Sequence, residues 1–462
     1  GFCACGRAPA LPPLPRSFPG AMDDDGLAGS RIAKRRTLRE MLLPIGKGYT
    51  AYAREEMSVA WRFAWTFTLW YAILCIGIAL AMLGPTLQEL AEQLHLRIAE
   101  ASVLFTARAA GYVVGAILFN DLLEKLRNPA AVFFIPLLPC FFGPMLLPRM
   151  RTLLMTCVLF MCQGMCMGVL DTGGNVAMLS LWRGSSWQNG FEHAFHFLFG
   201  LGAAVAPMFV RWMLEHNHAA MAAWPVVGVI TLPVCILMGI LVYAPQPETS
   251  HDEVETPDQR RSFLVRVITL TGAFLFVYVG IEVAYGGYID SFSVRWVGAS
   301  KVDGATLTAV YWGALCVGRF VAAVITPFVH HARYLAVHLA LAIASTATLG
   351  IKASDPSAVA PHTDGWWWGI VVPTAVFGFA LAPLFPGALL VAEELLDGPL
   401  PTKWAGNVVG GAAAGEMLLP MVVGVCFSYW PMSFCWLQLG LCLVTAVIFL
   451  ANSAGILSSG KT

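Results

Sequence analysis

Long apolar segments alternate with short polar connections along most of the chain. Beyond residue 60, twelve such segments follow one another. A helix of about 20 apolar residues is long enough to cross the hydrocarbon core of a bilayer. The pattern therefore predicts an all-α polytopic membrane protein with twelve transmembrane helices. We place these spans, numbered 1 to 12, at residues 61–84, 101–120, 129–148, 152–178, 190–213, 221–244, 263–287, 304–328, 333–352, 366–391, 403–428 and 431–452.

One long polar insert, PQPETSHDEVETPDQRR, divides the spans into two groups of six. The residues before span 1 are rich in proline and then basic, a composition typical of disordered segments. We therefore predict two six-helix halves between a disordered tail and a short C-terminal one. The predicted segments are 1–60 (basic cytoplasmic tail), 61–244 (first half), 245–262 (central cytoplasmic loop), 263–452 (second half) and 453–462 (C-terminal cytoplasmic tail).

Composition supports a membrane protein and narrows its partners. Charged residues make up only 12% of the chain, against about 25% in soluble domains. The 28 basic and 28 acidic residues cancel, so nothing predicts a nucleic acid partner. Catalytic, cofactor-binding and metal-binding patterns are absent from the sequence, and most of the 12 cysteines lie in apolar segments, where cysteine behaves as a small hydrophobic residue. We expect a monomer that is not an enzyme, carries no cofactor and contacts the lipid bilayer.

The distribution of basic residues predicts the orientation. Lys and Arg are more numerous in the tail, the insert, the C-terminus and alternate loops than in the remaining loops. Basic loops stay on the cytoplasmic side of a membrane. Both termini and the insert are therefore predicted to be cytoplasmic, in a protein of the plasma membrane.

The two groups of spans also share short similar segments. GAAVAPMFV (202–210) on span 5 aligns with GEMLLPMVV (415–423) on span 11, and GYVVGA (111–116) on span 2 is similar to GRFVAA (318–323) on span 8. Parallel repeats of six spans are found in carriers that work by alternating access. The repeat therefore favours a transporter over a channel or a receptor.

Several ionisable residues interrupt the apolar segments. A charge at the centre of a membrane helix costs about 2.5 to 3.5 kcal/mol on insertion scales, so each one indicates either a functional site or a structural ion pair. They are Arg108, Asp171, Glu192, His193, His196, Glu282, Arg319 and Glu416.

Helical spacing groups some of these residues. Asp171 and Asn175 on span 4 are four residues apart and share one face, and Gly173 and Gly174 between them leave room for a neighbouring helix. This pair predicts a cation-coupling site. His193 and His196 on span 5 share a face at similar depth, although Glu192 and His193 could equally lie at the membrane interface. A carboxylate beside an imidazole could exchange a proton near neutral pH.

Depth in the membrane suggests further roles. Arg108 and Glu282 fall in the outer half at similar depth, where they predict either an interdomain lock or a static pair. Glu416 lies nearest the midplane, where the solutes of carriers bind. Tyr285 near the end of span 7 could stack on a sugar ring.

Seven segments spread over both halves form a family pattern: GPTLQELA (84–91), FTARAAGYVVG (105–115), GVLDTGGNV (168–176), HFLFGLGAAVAP (196–207), YVGIEVAYGGYIDSF (278–292), Gly318-Arg319 and GEMLLP (415–420). In these segments the chain resembles the major facilitator superfamily, and within it the sodium-dependent glucose transporter branch, related to the fucose permease type.

The resemblance implies the major facilitator fold and a secondary active transporter that couples uptake of a hexose such as glucose to a cation, expected to be sodium. Rival functions are a proton-coupled or uncoupled carrier of another small polar solute, and a membrane sensor on the same fold. The family's basic loop after span 2 is reduced here to GAILFNDLLEKLRNP, where Asp121 remains. We predict solute-binding residues (Arg108, Asn175, His196, Tyr285, Asn407 and Glu416), cation-coupling residues (Asp171 and Glu282) and gating or structural ion-pair residues (Asp121 and Arg319).

Overall fold

Twelve helices long and apolar enough to cross a membrane make up the part of the chain described by a computed structural model. It describes residues 57–126, 128–185, 187–247, 261–396 and 402–459, and none of these residues forms a strand. The predicted all-α fold with twelve spans is thus confirmed. The predicted tail lies outside the described residues except for residues 57–60, as does most of the central loop.

The helices that form the spans have the following bounds. Spans 1 to 6 comprise Val59–Ala81 with Leu83–Gln93, Ile98–Ala101 with Val103–Leu126, Pro129–Leu146, Leu153–Leu181, Gln188–Glu215 and Ala223–Leu241. Spans 7 to 12 comprise Arg261–Phe292, Lys301–Ile325, His331–Ala353, Val372–Leu381 with Leu384–Leu396, Thr402–Tyr429 and Ser433–Ser459.

Span 7 extends about ten residues beyond the predicted end at residue 287. The α-helix continues to Phe292, and a π-helical turn carries it to Val297 before Gly298 ends it with a φ of 78°, a left-handed conformation that suits glycine. The predicted end lies just before two polar residues, Asp290 and Ser291. Both side chains are nevertheless buried inside the protein.

The two halves repeat one packing scheme. In the first half span 1 packs against span 5, span 2 against span 4, and span 3 against span 6. In the second half span 7 packs against span 11, span 8 against span 10, and span 9 against span 12. This correspondence matches the short repeats in the sequence. Between the halves, span 2 packs against span 11 and span 5 against span 8.

Glycines allow spans 2 and 4 to touch backbone to backbone. A Cβ added at Gly164 would lie 1.8 Å from the carbonyl oxygen of Arg108, and one at Gly111 would lie 1.9 Å from that of Met161. Gly115 and Gly168 make equivalent contacts one turn further along. These two i, i+4 pairs therefore hold Arg108 on span 2 at a fixed position beside span 4.

Gly173 and Gly174 on span 4 have a different role from the one that their spacing predicted. A Cβ at Gly173 would lie within 2.4 Å of ring atoms of both Phe119 and Phe133, and a Cβ at Gly174 would lie 2.9 Å from the ring of Phe195. Aromatic side chains of the neighbouring helices, rather than their backbones, take up the space beside this glycine pair.

The spans alternate in direction, so the start of span 1, the insert between spans 6 and 7 and the end of span 12 lie on one side, here called the tail side. On the opposite, far side, the two halves touch. A Cβ at Gly84 on span 1 would lie 2.3 Å from the carbonyl oxygen of Gly286 on span 7. Lys301 of the second half forms ion pairs of 3.6 Å with Glu89 and 3.8 Å with Glu92 of the first. The far side is therefore closed.

Candidate functional site

An ion pair joins the two halves near the middle of the membrane region. Nη2 of Arg108 on span 2 lies 3.2 Å from Oε1 of Glu416 on span 11, and both residues are buried, at 1% and 7% exposure. Nη1 of Arg108 donates to the carbonyl oxygen of Leu80 on span 1. Thr106 on span 2 donates to the carbonyl oxygen of Met417 on span 11, across the same interface. Arg108 and Glu416 thus form a buried contact between the halves.

A second ion pair lies within the second half. Nη2 of Arg319 on span 8 is 3.1 Å from Oε1 of Glu282 on span 7. Tyr278 donates to the other carboxylate oxygen of Glu282, and Tyr311 donates to its backbone carbonyl. The guanidinium of Arg319 also lies over the ring of Phe199 on span 5, 5.5 Å from the ring centre. Through Arg319, this pair also contacts the first half.

The interdomain lock that the sequence suggested between Arg108 and Glu282 is not formed in this conformation. Each residue instead pairs with another partner, Arg108 with Glu416 and Glu282 with Arg319. The predicted contact between Arg108 and Glu282 was based only on their similar depth in the membrane. Depth does not determine which helices are neighbours.

Asp171 on span 4 is surrounded by neutral partners. The hydroxyl of Tyr112 on span 2 donates to its Oδ2 at 2.6 Å, and the amide of Asn175 donates to its backbone oxygen at 2.8 Å and reaches its Oδ1 at 3.4 Å. Asp171 is half-buried. The predicted face shared by Asp171 and Asn175 is therefore present, and Tyr112 completes it.

These groups form one electrostatic cluster. The carboxylate of Glu416 is close enough to be influenced by those of Glu282 and Asp171, and His196 on span 5 by Asp171 and Arg319. Three carboxylates and two guanidinium groups belong to the cluster, and both guanidinium groups are taken by Glu282 and Glu416. Asp171 is therefore the central carboxylate with no Lys or Arg partner among the described side chains. Its negative charge is available to a cation.

The other predicted site residues lie apart from this cluster or outside the described side chains. Tyr285 is fully buried in the second half, where its ring contacts Tyr311, Phe377 and Phe434 and its hydroxyl lies 2.9 Å from that of Thr374. It cannot stack on a solute in this conformation. His193 is exposed on span 5, as is His196, which belongs to the cluster through Asp171 and Arg319. The side chains of Asn407 and Asp121 lie outside the described part of the structure.

Sequence reasoning missed three residues that the structure places at or beside the interface between the halves. Tyr112 contacts Asp171, Trp312 on span 8 is fully buried beside Gly286, and Asp290 on span 7 is buried near Gly304. Buried aromatic residues in membrane helices are usually packing residues, so Trp312 carries no distinctive signal. Asp290 was overlooked because it follows the predicted end of span 7.

Comparisons with known proteins identify relatives of the chain. It is 26% identical to "Sodium-dependent glucose transporter 1" of Danio rerio over 80% of its own length and 66% of that protein. It is also 26% identical to the Homo sapiens protein of the same name, over 82% of the chain and 77% of that protein. The chain thus spans about two thirds of the zebrafish relative.

Solved structures with a similar fold are also membrane transporters. The nucleoside transporter NupG (D323A mutant) superposes with a TM-score of 0.66 at 11% identity, over 85% of this chain and 99% of that one. A bacterial homologue of the human lysosomal transporter Spinster gives a TM-score of 0.62 at 12% identity, over 87% of this chain and 98% of that one. The sequence profile described as "Major Facilitator Superfamily" matches residues 69–360. Twelve membrane helices in two six-helix halves, together with this match, show that the chain is a membrane transporter that belongs to the major facilitator superfamily.

Proposed function

We propose that the chain is a secondary active transporter that couples the uptake of a hexose such as glucose to the movement of sodium. The names of its relatives support the solute and the ion. The contact between spans 2 and 11 and that between spans 5 and 8 support alternating access, since two halves that meet along few helices can rock against each other. The closed far side then belongs to a conformation open toward the tail side.

The coupling proposal rests on one observation: the carboxylate of Asp171 has no Lys or Arg partner among the described side chains. A carboxylate in a membrane span is costly unless a cation balances it. Arg108 and Arg319 are already engaged by Glu416 and Glu282. A bound sodium ion at Asp171 would balance the remaining charge, with the hydroxyl of Tyr112 as a second oxygen ligand 2.6 Å from the carboxylate. Asn175 presents its amide nitrogen to Asp171 in this conformation, so its amide oxygen would join the ligands after rotation of the amide group.

The solute is proposed to bind beside this site. Asn175 and His196 offer hydrogen-bonding groups on spans 4 and 5, and Arg319 of the second half lies within electrostatic reach of His196. A hexose carries several hydroxyl groups that both donate and accept hydrogen bonds. A group of polar side chains from both halves can therefore hold one sugar between them and release it when the halves separate.

Reconstituted protein tests this function. Purified protein in liposomes is loaded with unlabelled D-glucose and given external radiolabelled D-glucose, so that exchange is measured without any ion gradient. Exchange above that of protein-free liposomes is expected. Uptake is then measured with external sodium or external choline at fixed pH, and at least a 10-fold loss in choline is expected. Full uptake in choline would contradict sodium coupling, and absence of exchange would contradict hexose transport.

Asp171→Asn is expected to abolish sodium-driven accumulation of D-glucose while leaving at least half of the exchange rate. The amide keeps the size and the hydrogen bond with Tyr112 but removes the charge that would hold the cation. Accumulation and exchange are measured on the same proteoliposomes. Equal loss of both would mean that Asp171 acts in folding or in solute binding rather than in coupling.

Tyr112→Phe tests the same site with a smaller change than Asp171→Asn. It removes the hydroxyl oxygen beside Asp171 without a change in charge. The sodium concentration at half-maximal uptake should therefore rise about 3- to 10-fold, which corresponds to the loss of about 1 kcal/mol expected for one hydrogen bond. Tyr71→Phe is the matched control, because Tyr71 donates to the carbonyl of Ile230 away from the cluster. It should leave the sodium dependence unchanged.

Lys301→Glu is expected to open the far side. The change replaces two ion pairs with Glu89 and Glu92 by repulsion, and such partly exposed pairs contribute about 1 kcal/mol each at most. Opening is measured with Ser102→Cys, because Ser102 is fully buried at the start of span 2, against Gly424 of the second half. A membrane-impermeant thiol reagent should modify the introduced thiol about 5- to 10-fold faster in the Lys301→Glu background.

Arg211→Glu controls for a reversed charge on the far side. Arg211 pairs with Glu215 within span 5 and forms no ion pair with the second half among the described residues. Its reversal should leave the modification rate at position 102 unchanged, and protein without Ser102→Cys gives the background from native cysteines. Equal rates in the Lys301→Glu and Arg211→Glu proteins would show that Lys301 does not hold the far side closed.

A further inference from the structure

A small cavity lies between the two halves, next to the Arg108–Glu416 ion pair and displaced from it toward the far side of the membrane. Its volume is about 10 Å³, close to what one water molecule or one hydroxyl group requires. Four helices contribute to its wall: span 1 with Gly84, span 2 with Phe105 and Arg108, span 7 with Gly286, and span 8 with Trp312. The cavity therefore exists only while the two halves are in contact.

Two hydrogen-bond donors in the wall of this cavity are left without an acceptor. Nε of Arg108 and Nε1 of Trp312 are buried, and neither has a hydrogen-bond partner among the described residues. The two side chains are each 1% exposed. The other nitrogens of Arg108 are occupied by Leu80 and Glu416, so only Nε remains. Buried donors are nearly always satisfied, which indicates that an acceptor completes this site.

Gly286 keeps the indole donor accessible. A Cβ at this position would lie 2.8 Å from Nε1 of Trp312, where it would block the nitrogen. The carbonyl of Gly286 faces Gly84 on span 1. Glycine at 286 therefore provides both the space in front of the donor and the close approach of the two halves that encloses it.

The charges around the cavity define its ligand. Arg108 is already neutralised by Glu416, and two more carboxylates lie within electrostatic reach of that pair. An anion would be repelled by these carboxylates, and a cation by the two donors. Both donors are N–H groups with no acceptor capacity. The ligand that fits is a neutral oxygen acceptor about the size of a hydroxyl group.

We propose that Arg108 and Trp312 form a two-donor subsite that binds one hydroxyl oxygen of the transported solute when the far side closes. The inference rests on the proposed function for the identity of the solute. It assigns Trp312 a role in specificity, because a solute without an oxygen at that position leaves both donors unsatisfied. A site built to bind a hydroxyl group rejects an analogue that lacks it.

The subsite predicts a specific pattern in a series of deoxy sugars. Binding of D-glucose and of each of its monodeoxy analogues is measured by calorimetry on purified wild-type, Trp312→Phe and Trp296→Phe proteins. One analogue should bind wild type about 10-fold more weakly than D-glucose. Trp312→Phe, which removes the indole N–H but keeps Nε of Arg108, should reduce that difference to about 3-fold. Trp296→Phe should discriminate as wild type does, since Trp296 donates to the carbonyl of Ala353 away from the cavity.

Different outcomes separate this inference from the proposed function. If wild type binds D-glucose but Trp312→Phe discriminates among the analogues as wild type does, the subsite for a solute hydroxyl is disproved and hexose transport stands. If wild type binds no D-glucose, the proposed function fails. The subsite is then decided by nuclear magnetic resonance of indole ¹⁵N-labelled protein, with the Trp312 signal assigned by its loss in Trp312→Phe.

Three neutral probes are added for that measurement: myo-inositol, glycerol and uridine. A downfield shift of the Trp312 N–H proton with any of them supports an oxygen-binding subsite. An unchanged signal with all three overturns it. A shift caused equally in Gly286→Ala protein, in which the added methyl group fills the cavity, would also overturn it.

Discussion

Glu416→Gln should lower the uptake rate at least about 100-fold. The substitution leaves the guanidinium of Arg108 buried without a counter-charge, since Arg108 is 1% exposed and the carboxylate of Glu416 is its ion-pair partner. Removal of one partner of a buried pair costs about 3 to 5 kcal/mol. The cost falls on the conformation in which the pair is formed, so the closed far side becomes rare. Initial uptake rates in proteoliposomes, normalised to the amount of protein, measure the effect.

The same variant should also speed the modification of Ser102→Cys, which reports opening of the far side without reference to any solute. Glu215→Gln is the matched control, because it breaks an exposed pair with Arg211 inside one helix and should change uptake less than about 2-fold. The double variant Arg108→Gln with Glu416→Gln should return the modification rate at position 102 toward that of the protein with both residues intact, since no unpaired charge remains. A double variant modified as fast as Glu416→Gln alone would contradict the ion-pair account.

Gly164→Ala is expected to reduce both the yield of folded protein and its stability. The added methyl group would lie 1.8 Å from the carbonyl oxygen of Arg108, and neither backbone can yield without separating spans 2 and 4. Overpacking of this kind costs about 1 to 3 kcal/mol or more. Separation of the two spans would also break the hydrogen bond between Tyr112 and Asp171. We expect a fall of at least about 5 °C in the apparent melting temperature of the detergent-solubilised protein.

Gly440→Ala isolates the effect of contact from that of helix propensity. Gly440 lies on span 12, is exposed, and has open space around a Cβ position. Alanine there should leave the melting temperature unchanged or raise it slightly, because alanine favours helix. A Gly164→Ala protein as stable as the Gly440→Ala protein would show that spans 2 and 4 do not need their backbone contact.

The number of spans was predictable from sequence because crossing a bilayer imposes a length and a composition on every helix. The same rule failed at the end of span 7. Asp290 and Ser291 lie beyond the predicted end at residue 287, yet both side chains are buried by neighbouring helices that a local pattern cannot describe. The hydrophobic pattern thus determines where a helix must be apolar, but it does not determine where a helix ends inside the protein.

The candidate site was predictable only where its members share a helix. Asp171 and Asn175 lie four residues apart, and their contact follows from helical geometry. The contact between Arg108 and Glu416 joins residues 308 positions apart, so it depends on which spans become neighbours. Tyr112 could have been found from the spacing of Gly111 and Gly115 with Gly164 and Gly168, since two such pairs indicate helices in backbone contact.

The arrangement of the interface between the halves has a consequence for the motion. Span 2 of the first half packs on span 11, and its counterpart, span 8, packs on span 5, the counterpart of span 11. The interface is therefore isologous, with the same pair of surfaces used twice about a pseudo-twofold axis. Span 1 and its counterpart span 7 meet at Gly84 and Gly286, next to that axis. A single rotation of one half can then bring the helices of both contacts closer together at one end and move them apart at the other. Neither contact therefore needs its own hinge.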